Sequence, residues 1–213
     1  MKACVIGLGR FGYSVATTLS EKGIEVLAID ENESIIASIR DSVTQAICMQ
    51  VKTQDDLQSV GVEEMDLVIV AMGEKLAQSI LLTALLKKKL RINRVITRSI
   101  NKIHEEILTL IGADETIIPE EDIGVRLAER LSSPFQEFFR ITPLFSISQI
   151  PTPSSFIGNS VESLKLYKIY EVRCIGLKKD EDFFPIAPEY VIQENDILLL
   201  AGKEADLKKI ARL

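Results

Sequence analysis

A glycine-rich turn near the start of the chain is the feature that most constrains the fold. The stretch KACVIGLGRFG places Gly7, Gly9 and Gly12 in the G-x-G-x-x-G spacing. An apolar run precedes the turn and a helical pattern follows it, which is the setting in which this motif holds the phosphates of a dinucleotide. Gly7 allows the tight turn, Gly9 lets the backbone approach phosphate, and Gly12 lets helix and strand pack closely. The residues therefore predict a βαβ unit with a phosphate site at a helix N-terminus.

Apolar runs and helical patterns alternate as far as residue 119. The predicted strands are 2–7, 25–30, 44–49, 66–72, 94–99 and 115–119. The predicted helices are 10–23, 33–40, a short one after a Thr53/Asp56 capping box, 75–89 and 102–111. Strands separated by helical patterns indicate parallel pairing, since a parallel connection needs a crossover. We expect an α/β, Rossmann-like, doubly wound parallel sheet.

Residues 119–140 predict a pair of crossover helices, with a break at Ser133-Pro134. In the first helix an apolar stripe repeats about every four residues, through Ile123, Leu127 and Leu131. The stripe must be buried on its own domain or on another subunit, and the sequence leaves both open.

The last third of the chain has a different composition, with five of the seven prolines after residue 142. We expect strands at 144–150, 170–178 and 197–202, and helices at 160–165 and 204–213. A polar turn at 179–182 and a loop at 183–190 lie between them. The predicted domains are a nucleotide-binding domain at 1–118, a crossover segment at 119–140 and a smaller α+β domain at 141–213.

Composition excludes several classes of protein. A net charge of −6 argues against nucleic acid as a partner, because phosphate neutralisation needs a basic face. The three cysteines are scattered among apolar residues, which predicts small buried side chains in a reducing compartment. No signal peptide is expected, and no apolar run reaches the roughly 18 residues of a membrane span. Any role at a membrane would need a partner.

Polar and charged side chains follow several predicted strands, where the carboxyl ends of a parallel sheet line a crevice. Asp30 ends the second strand, 18 residues after Gly12, and its carboxylate can accept hydrogen bonds from ribose hydroxyls while repelling the 2′-phosphate of NADP. Arg10 lies inside the glycine turn, where its guanidinium can fold over the outermost phosphates. The predicted nucleotide-binding residues are Gly7, Leu8, Gly9, Arg10, Phe11, Gly12, Asp30, Glu31, Gln50, Val51, Ala71, Met72, Gly73, Lys75 and Arg98. The excess of cations favours ATP or ADP over NAD.

Catalytic signals are weak. The only histidine, His104, is expected at a helix surface or an interface, and no Walker lysine follows the glycines. We expect no enzyme activity and no catalytic residue. Two alternatives stay open at this point: a small NAD-dependent oxidoreductase, and a free-standing NAD(H) sensor.

The motifs VIGLGRFG, VLAID, VIVAMG, VITRS, IGAD and IIPEEDIGVRLA, in this order, resemble the KTN (RCK N-lobe, TrkA-N) domain of potassium-transport regulators. The tail, from SISQIPTPSSFIGNSVESL to PEYVIQENDILLLAG, resembles the small TrkA-C domain. The resemblance implies a cytosolic regulatory subunit of a Ktr/Trk-type potassium uptake system. It further implies homodimers that assemble into a larger ring, often an octamer, beneath a membrane-embedded potassium-translocating subunit.

The resemblance also implies roles for individual residues. Binding of ATP against ADP, or of NADH against NAD, would switch transport. Arg10 matches an arginine that reaches the γ-phosphate across the dimer, and Arg98 matches a basic site residue. Glu120 matches an acid near the dimer interface that helps to hold Mg²⁺ or another divalent cation. Residues 164–168 lack the arginine and asparagine with which some members bind cyclic di-AMP.

Overall fold

The glycine turn leads into a six-stranded parallel sheet. The computed structural model describes residues 1–73, 75–132, 137–142, 144–179 and 182–213, and its contacts divide the chain into two units, Met1–Ile123 and Gly124–Leu213. The strands of the first unit are β1 (Lys2–Ile6), β2 (Glu25–Asp30), β3 (Gln45–Cys48), β4 (Leu67–Val70), β5 (Arg94–Arg98) and β6 (Glu115–Ile117). Their order is β3-β2-β1-β4-β5-β6, and every neighbouring pair is parallel. The predicted doubly wound sheet is confirmed.

Helices cover both faces of this sheet. They are α1 (Arg10–Glu21), α2 (Glu33–Ile39), α3 (Gln54–Ser59), α4 (Leu76–Ala84) and α5 (Lys102–Ile111). Each strand therefore presents alternate side chains to two separate cores. Cys4 and Ile6 of β1 belong to one buried cluster, and Ala3 and Val5 belong to the other. Burial on both faces explains why the strands read as continuous apolar runs.

The local sequence explains most helix ends. The predicted capping box at Thr53 and Asp56 is present at the start of α3, and Gly112 ends α5 in the left-handed conformation with φ 108°. The predicted helix 75–89 departs from α geometry in its last part, because Leu85–Lys89 forms a π-helical turn after α4.

The second unit contains a five-stranded antiparallel sheet. Its strands are β7 (Glu137–Arg140), β8 (Phe145–Pro151), β9 (Arg173–Lys179), β10 (Asp182–Phe184) and β11 (Ile197–Lys203), in the order β10-β9-β11-β8-β7. Its helices are α7 (Leu166–Tyr170) and α8 (Glu204–Ile210), while α6 (Pro119–Ser132) begins in the first unit and ends in the second. One buried cluster, including Leu198, Leu200 and Leu207, forms its core. A smaller α+β domain was predicted, and the fold class is confirmed.

Three predicted elements of this unit are wrong. The second crossover helix, expected to end at residue 140, is strand β7, whose backbone pairs with Ser146–Gln149 of β8; consecutive phenylalanines favour such a strand. The helix expected at 160–165 is a turn. One helical bond forms, from the Leu164 amide to the Ser160 carbonyl, and the left-handed Lys165, with φ 46°, ends it. The amides of Val161 and Glu162 donate to the carbonyls of Tyr190 and Pro188. The loop expected at 183–190 begins within β10. The predicted break at 133–134 lies outside the described residues.

The apolar stripe of α6 is exposed in the single chain. Ile123, Val125, Leu127 and Leu131 are all exposed, Leu131 to 75%. Within the described part of the chain, the stripe is not buried, and cover by another subunit stays a prediction.

The cysteines differ from one another more than predicted. Cys4 is fully buried and Cys174 partly buried, as expected, but Cys48 at the end of β3 is exposed. No helix among the described residues is long and apolar enough to cross a membrane.

Candidate nucleotide-binding site

The glycine turn occupies the point where the strand order of the parallel sheet reverses. Strands β2 and β4 flank β1 on opposite sides, so the connections after β1 and β4 diverge to opposite faces and leave a crevice at their carboxyl ends. The Gly7 amide donates to the Ile29 carbonyl at 2.8 Å, and the Tyr13 amide donates to the Gly9 carbonyl at 2.9 Å to begin α1. No side chain caps α1 at Gly9, and amides at such an uncapped N-terminus attract anions.

Two of the glycines are required, Gly7 by its backbone conformation and Gly12 by close packing. Gly7 has φ 92°, a left-handed conformation that favours glycine. A Cβ atom on Gly12 would lie only 1.9 Å from the Gly7 carbonyl oxygen, whereas one on Gly9 would meet nothing within 4 Å. Gly12 therefore lets α1 pack directly against the glycine turn, and Gly9 leaves open space next to the backbone of the turn.

Asp30 holds the turn in place as well as facing the crevice. Its Oδ2 accepts the Leu8 amide at 2.6 Å and its Oδ1 accepts the Asn32 amide at 2.9 Å. Each carboxylate oxygen has further lone pairs, so these bonds leave room for ribose hydroxyls. Asp30 thus fixes the geometry of the turn relative to the end of β2.

An ion pair crosses the crevice next to Asp30. Lys75, at the start of α4, donates to the Glu31 carboxylate that follows β2. The Lys75 hydrogen bond lowers the pKa of Glu31 against the opposing effect of desolvation. On the same side, the Gln78 side chain donates to the Val51 carbonyl at 2.6 Å. These contacts join the segments that follow β2 and β3 to the first turn of α4.

A second ion pair lies on the opposite side of the glycine turn. Arg98 ends β5, and its Nη2 lies 2.5 Å from Oε1 of Glu120 in the first turn of α6. Its guanidinium rests on Gly73, where an added Cβ would come 2.5 Å from Nη1 and 2.9 Å from Cζ. Only glycine at position 73 leaves room for the guanidinium in this place.

Together these segments enclose a cavity of about 760 Å³. Pockets of 300 to 1,000 Å³ are typical of small-molecule sites. The described residues that line it are Ile6, Gly7, Gly9, Arg10, Phe11, Ile29, Asp30, Glu31, Met49, Gln50, Val51, Ala71, Met72, Gly73, Lys75, Gln78, Arg98 and Glu120. The cavity is the right size for a nucleotide, and its walls carry both carboxylates and cations.

Comparison with known proteins identifies the family. A family model described as the TrkA-N domain matches residues 3–119, and one described as the TrkA-C domain matches residues 146–213. The chain belongs to the TrkA-N/TrkA-C family.

Curated relatives agree with this assignment over almost the full chain. The chain is 32% identical to "Ktr system potassium uptake protein C" of Bacillus subtilis, over 98% of this chain and 95% of the relative. It is 33% identical to "Ktr system potassium uptake protein A" of the same organism, over 96% of this chain and 93% of the relative. The resemblance stated from the motifs is confirmed.

Solved structures support the fold alone, because sequence identity to them is low. The RCK domain of GsuK matches with a TM-score of 0.55 and 20% identity, over 99% of this chain and 46% of that one. The GsuK channel bound to NAD matches with a TM-score of 0.55 and 19% identity, over 99% of this chain and 38% of that one.

The structure brings most of the predicted residues of this TrkA-type chain to one cavity. Leu8 and Gly12 are the exceptions: Leu8 is a buried anchor whose amide bonds Asp30, and Gly12 packs behind the turn. The cavity is also lined by four residues that the sequence motifs did not predict: Ile6, Ile29, Met49 and Gln78. The first three lie at or beside strand ends, and Gln78 lies three residues after Lys75, about one helical turn. Both kinds of position could have been predicted from the sequence to face the cavity.

The predicted cation ligand Glu120 lines the cavity, but alone it does not fit a divalent-ion site. Its carboxylate is already paired with a guanidinium, and among the described residues no group of three or more His, Cys, Asp or Glu could hold a metal ion. Any cation at Glu120 would need phosphate oxygens of a bound nucleotide as further ligands.

Proposed function

We propose that this chain is the nucleotide-binding regulatory subunit of a Ktr-type potassium uptake system. One observation carries the proposal: a nucleotide-sized cavity with cations on its phosphate side, in a chain that matches Ktr proteins over almost its whole length. In the mechanism that we propose, ATP or ADP binds at the end of the sheet and shifts the population between two shapes of the assembly. A ligand can do so only by its differential affinity for the two shapes.

The site residues in this proposal are those that the sequence predicted. The α1 N-terminus and Gly9 would receive phosphate, Asp30 would receive ribose hydroxyls, and Arg10 would reach the outermost phosphate. The domain boundaries 1–118, 119–140 and 141–213 belong to the same proposal.

ATP or ADP is the proposed ligand, and NAD(H) is the second candidate. Arg10, Lys75 and Arg98 line the cavity, and guanidinium groups suit terminal phosphates, which NAD lacks. NAD(H) is favoured by one observation: a structural neighbour of this fold is a channel bound to NAD. We propose Mg²⁺ only as part of the complex with nucleotide.

The proposed partners are copies of the same chain and a membrane-embedded potassium-translocating subunit. The exposed stripe of α6, including Ile123 and Leu127, supports a homodimer, because a stripe of this kind is normally covered. We propose that such dimers form a ring, an octamer in the form that the resemblance implies. The chain would then be cytoplasmic and peripheral, at the inner face of the plasma membrane. Nucleic acid is not a proposed partner.

We propose that the subunit has no catalytic activity. The one histidine, His104, is fully buried on α5 and lies outside the residues that line the cavity. It was expected at a surface or interface, and burial removes it as a proton donor to a substrate. Hydride transfer from NADH to any substrate of a test panel would revive the oxidoreductase alternative. Tight NADH binding without association with a transporter would favour the free-standing sensor.

A thermal-shift panel tests the ligand. The full chain is heated with ATP, ADP, AMP, NADH, NAD and cyclic di-AMP, with and without Mg²⁺. We expect the largest rises in melting temperature with ATP and ADP. If none of the adenine nucleotides raises it, the proposed function is wrong.

The Arg10→Ala variant tests the proposed phosphate sensor. Loss of charge-assisted hydrogen bonds should weaken ATP binding about 10- to 100-fold and narrow the difference between ATP and ADP. The matched control is Arg40→Ala, since Arg40 is an exposed arginine of the same unit outside the cavity. Equal affinities in native and Arg10→Ala protein would exclude the role of Arg10.

A further inference from the structure

The ion pair between Arg98 and Glu120 lies at the far end of the cavity from the residue that would bind ribose. Asp30 ends β2, the neighbour of β1 on one side, whereas Arg98 ends β5, two strands from β1 on the other side. Adjacent strands are about 4.8 Å apart, so β5 is roughly 10 Å from the strand that carries the glycine turn. A nucleotide with its ribose at Asp30 and its first phosphate at the turn therefore presents its distal end to Arg98.

Arg98 has unused capacity to bind an anion. A guanidinium has five N–H donors, and the one hydrogen bond found for this side chain in the described chain goes from Nη2 to Glu120. Its Nε is buried and has no hydrogen-bond partner among the described residues. The side chain is 19% exposed and faces the cavity. Formation of a hydrogen bond to a buried, unpaired donor of this kind lowers the free energy, so an incoming acceptor is bound favourably.

Glu120 is held much less tightly than Arg98. Its side chain is 65% exposed and sits in the first turn of α6, a position that favours a carboxylate whether or not Arg98 is its partner. Release of Glu120 into water therefore costs little. When Glu120 is released, Arg98 stays in place, because the backbone of β5 and the contact with Gly73 fix its position.

We propose that Glu120 is an internal competitor for Arg98, and that a terminal phosphate of the bound nucleotide displaces it. The inference rests on the proposed nucleotide site and deepens it. Arg98 is the residue that distinguishes ADP and ATP from ligands that carry no free phosphate beyond the one at the glycine turn, such as AMP and NADH. Displacement also removes one of the two ion pairs that, among the described residues, hold the first turn of α6, the other being that of Glu121 with Lys102 at 3.1 Å. This helix leads from the first unit into the second.

The test measures affinity by isothermal titration for ATP, ADP, AMP and NADH, with EDTA present to exclude a role of metal at Glu120. The Glu120→Gln variant should bind ATP and ADP about three- to tenfold more tightly, because exposed ion pairs are weak, and AMP and NADH within about twofold of native. The Arg98→Gln variant should weaken ATP about tenfold or more. In the Arg98→Gln background, Glu120→Gln should change nothing.

The chain supplies a matched control on the same strand, β5. Arg94 of β5 pairs with Glu115 of β6 at 3.2 Å, outside the cavity. Glu115→Gln removes the same charge from a similar ion pair, so it should leave all four affinities unchanged. Gly73→Ala keeps both charges but displaces the guanidinium, and should weaken ATP and ADP selectively.

Hydrogen exchange tests the release of α6. The amides of Glu121 and Asp122 donate to the Ile118 carbonyl at 3.0 and 3.1 Å. They should exchange faster when ATP binds, and equally fast in ligand-free Glu120→Gln protein. Unchanged exchange on ATP binding would overturn the displacement.

Besides unchanged hydrogen exchange, three affinity results would overturn the inference while leaving the proposed function intact. They are weaker ATP binding by Glu120→Gln, an equal gain for all four ligands, and an effect of Glu120→Gln that persists without Arg98. If the native chain bound none of the four, the proposed function would fail and the inference with it.

Discussion

The two halves of the parallel sheet differ in how completely their polar groups are paired. In the half formed by β1, β2 and β3, both oxygens of Asp30 accept backbone amides, Asn32 caps α2, and Thr53 caps α3. The half formed by β4, β5 and β6 contains most of the buried polar side-chain atoms that have no partner among the described residues. These are Ser79 Oγ, Thr97 Oγ1, Arg98 Nε and both ring nitrogens of His104.

Unpaired buried groups are uncommon in folded proteins and usually indicate a water, a ligand or a partner. The paired half would hold the ribose and first phosphate, which all adenine nucleotides share. In the unpaired half, Arg98 is the one residue of this group that lines the cavity, and it would face the phosphates in which those nucleotides differ. We infer that the first half is preorganised for binding, and that Arg98 of the second half adds to the discrimination proposed for Arg10.

The largest expected effect comes from the glycine turn in the paired half. Gly12→Ala would place a Cβ atom 1.9 Å from the Gly7 carbonyl oxygen, so we expect a loss of about 3 kcal/mol or more in the free energy of unfolding. Gly9→Ala meets no atom within 4 Å and has φ −62°, so its loss should stay below about 1 kcal/mol while phosphate binding weakens. Urea denaturation and nucleotide titration separate the two variants. Equal stabilities would show that the turn is not tightly packed.

Asp30 gives the next largest effect and sharpens the comparison. Asp30→Ala leaves the amides of Leu8 and Asn32 without their acceptor, which should cost about 2 to 3 kcal/mol of unfolding free energy. Asp30→Asn keeps one acceptor oxygen and should lose roughly half as much. Both variants should weaken every adenine nucleotide. If the urea midpoint of Asp30→Ala equalled that of the native protein, the claim that paired polar groups stabilise this half would fail.

His104 tests the unpaired half through pH. Burial lowers its pKa below the ordinary value of 6.5, so the unfolded chain binds a proton that the folded chain does not. Stability is then complete above about pH 6.5 and falls as the pH decreases toward the folded-state pKa, by at most about 1.4 kcal/mol per pH unit. His104→Gln should flatten this part of the profile, measured by urea denaturation between pH 5 and 8. An unchanged slope in the variant would show that His104 does not titrate there.

The smallest effect is expected at the Glu31–Lys75 ion pair, where both side chains are more than 40% exposed. Lys75→Gln should leave the urea midpoint within error, because water screens exposed pairs. It should reduce nucleotide affinity by about twofold at low salt and by less in 0.5 M salt. A large loss at both salt concentrations would mean that Lys75 contacts the ligand directly.

The sequence was a good guide to the first unit because its signals are local. Each strand is a continuous apolar run and each helix carries its own period, so the prediction placed all six strands. Most of these runs extend one or two residues past the observed strand, as with DLVIVAM against Leu67–Val70. The π-helical turn at Leu85–Lys89 was not anticipated, because a stretch of five residues is too short for its sequence pattern to be distinguished from that of an α-helix.

The second unit was predicted less well because its elements depend on distant partners. Residues 160–165 look helical, yet the amides of Val161 and Glu162 bond the later loop at Tyr190 and Pro188, and Lys165 is left-handed. Strand β7 exists through its pairing with β8, and a short aromatic stretch alone does not distinguish it from a helix. The site shows the same division. The glycine turn and Asp30 follow from spacing, whereas Arg98 and Glu120, 22 residues apart, meet only through the sheet order.

Cys48 gives the chain a natural reporter position. It is exposed at the end of β3, with its sulfur 3.6 Å from the carbonyl oxygen of Glu31, a residue that lines the cavity. Burial raises the pKa of the other two thiols, that of Cys174 to about 11, so a maleimide dye should label Cys48 first, since the thiolate is the reactive form. Nucleotide exchange could then be followed by fluorescence in the native sequence, without introducing or removing a cysteine.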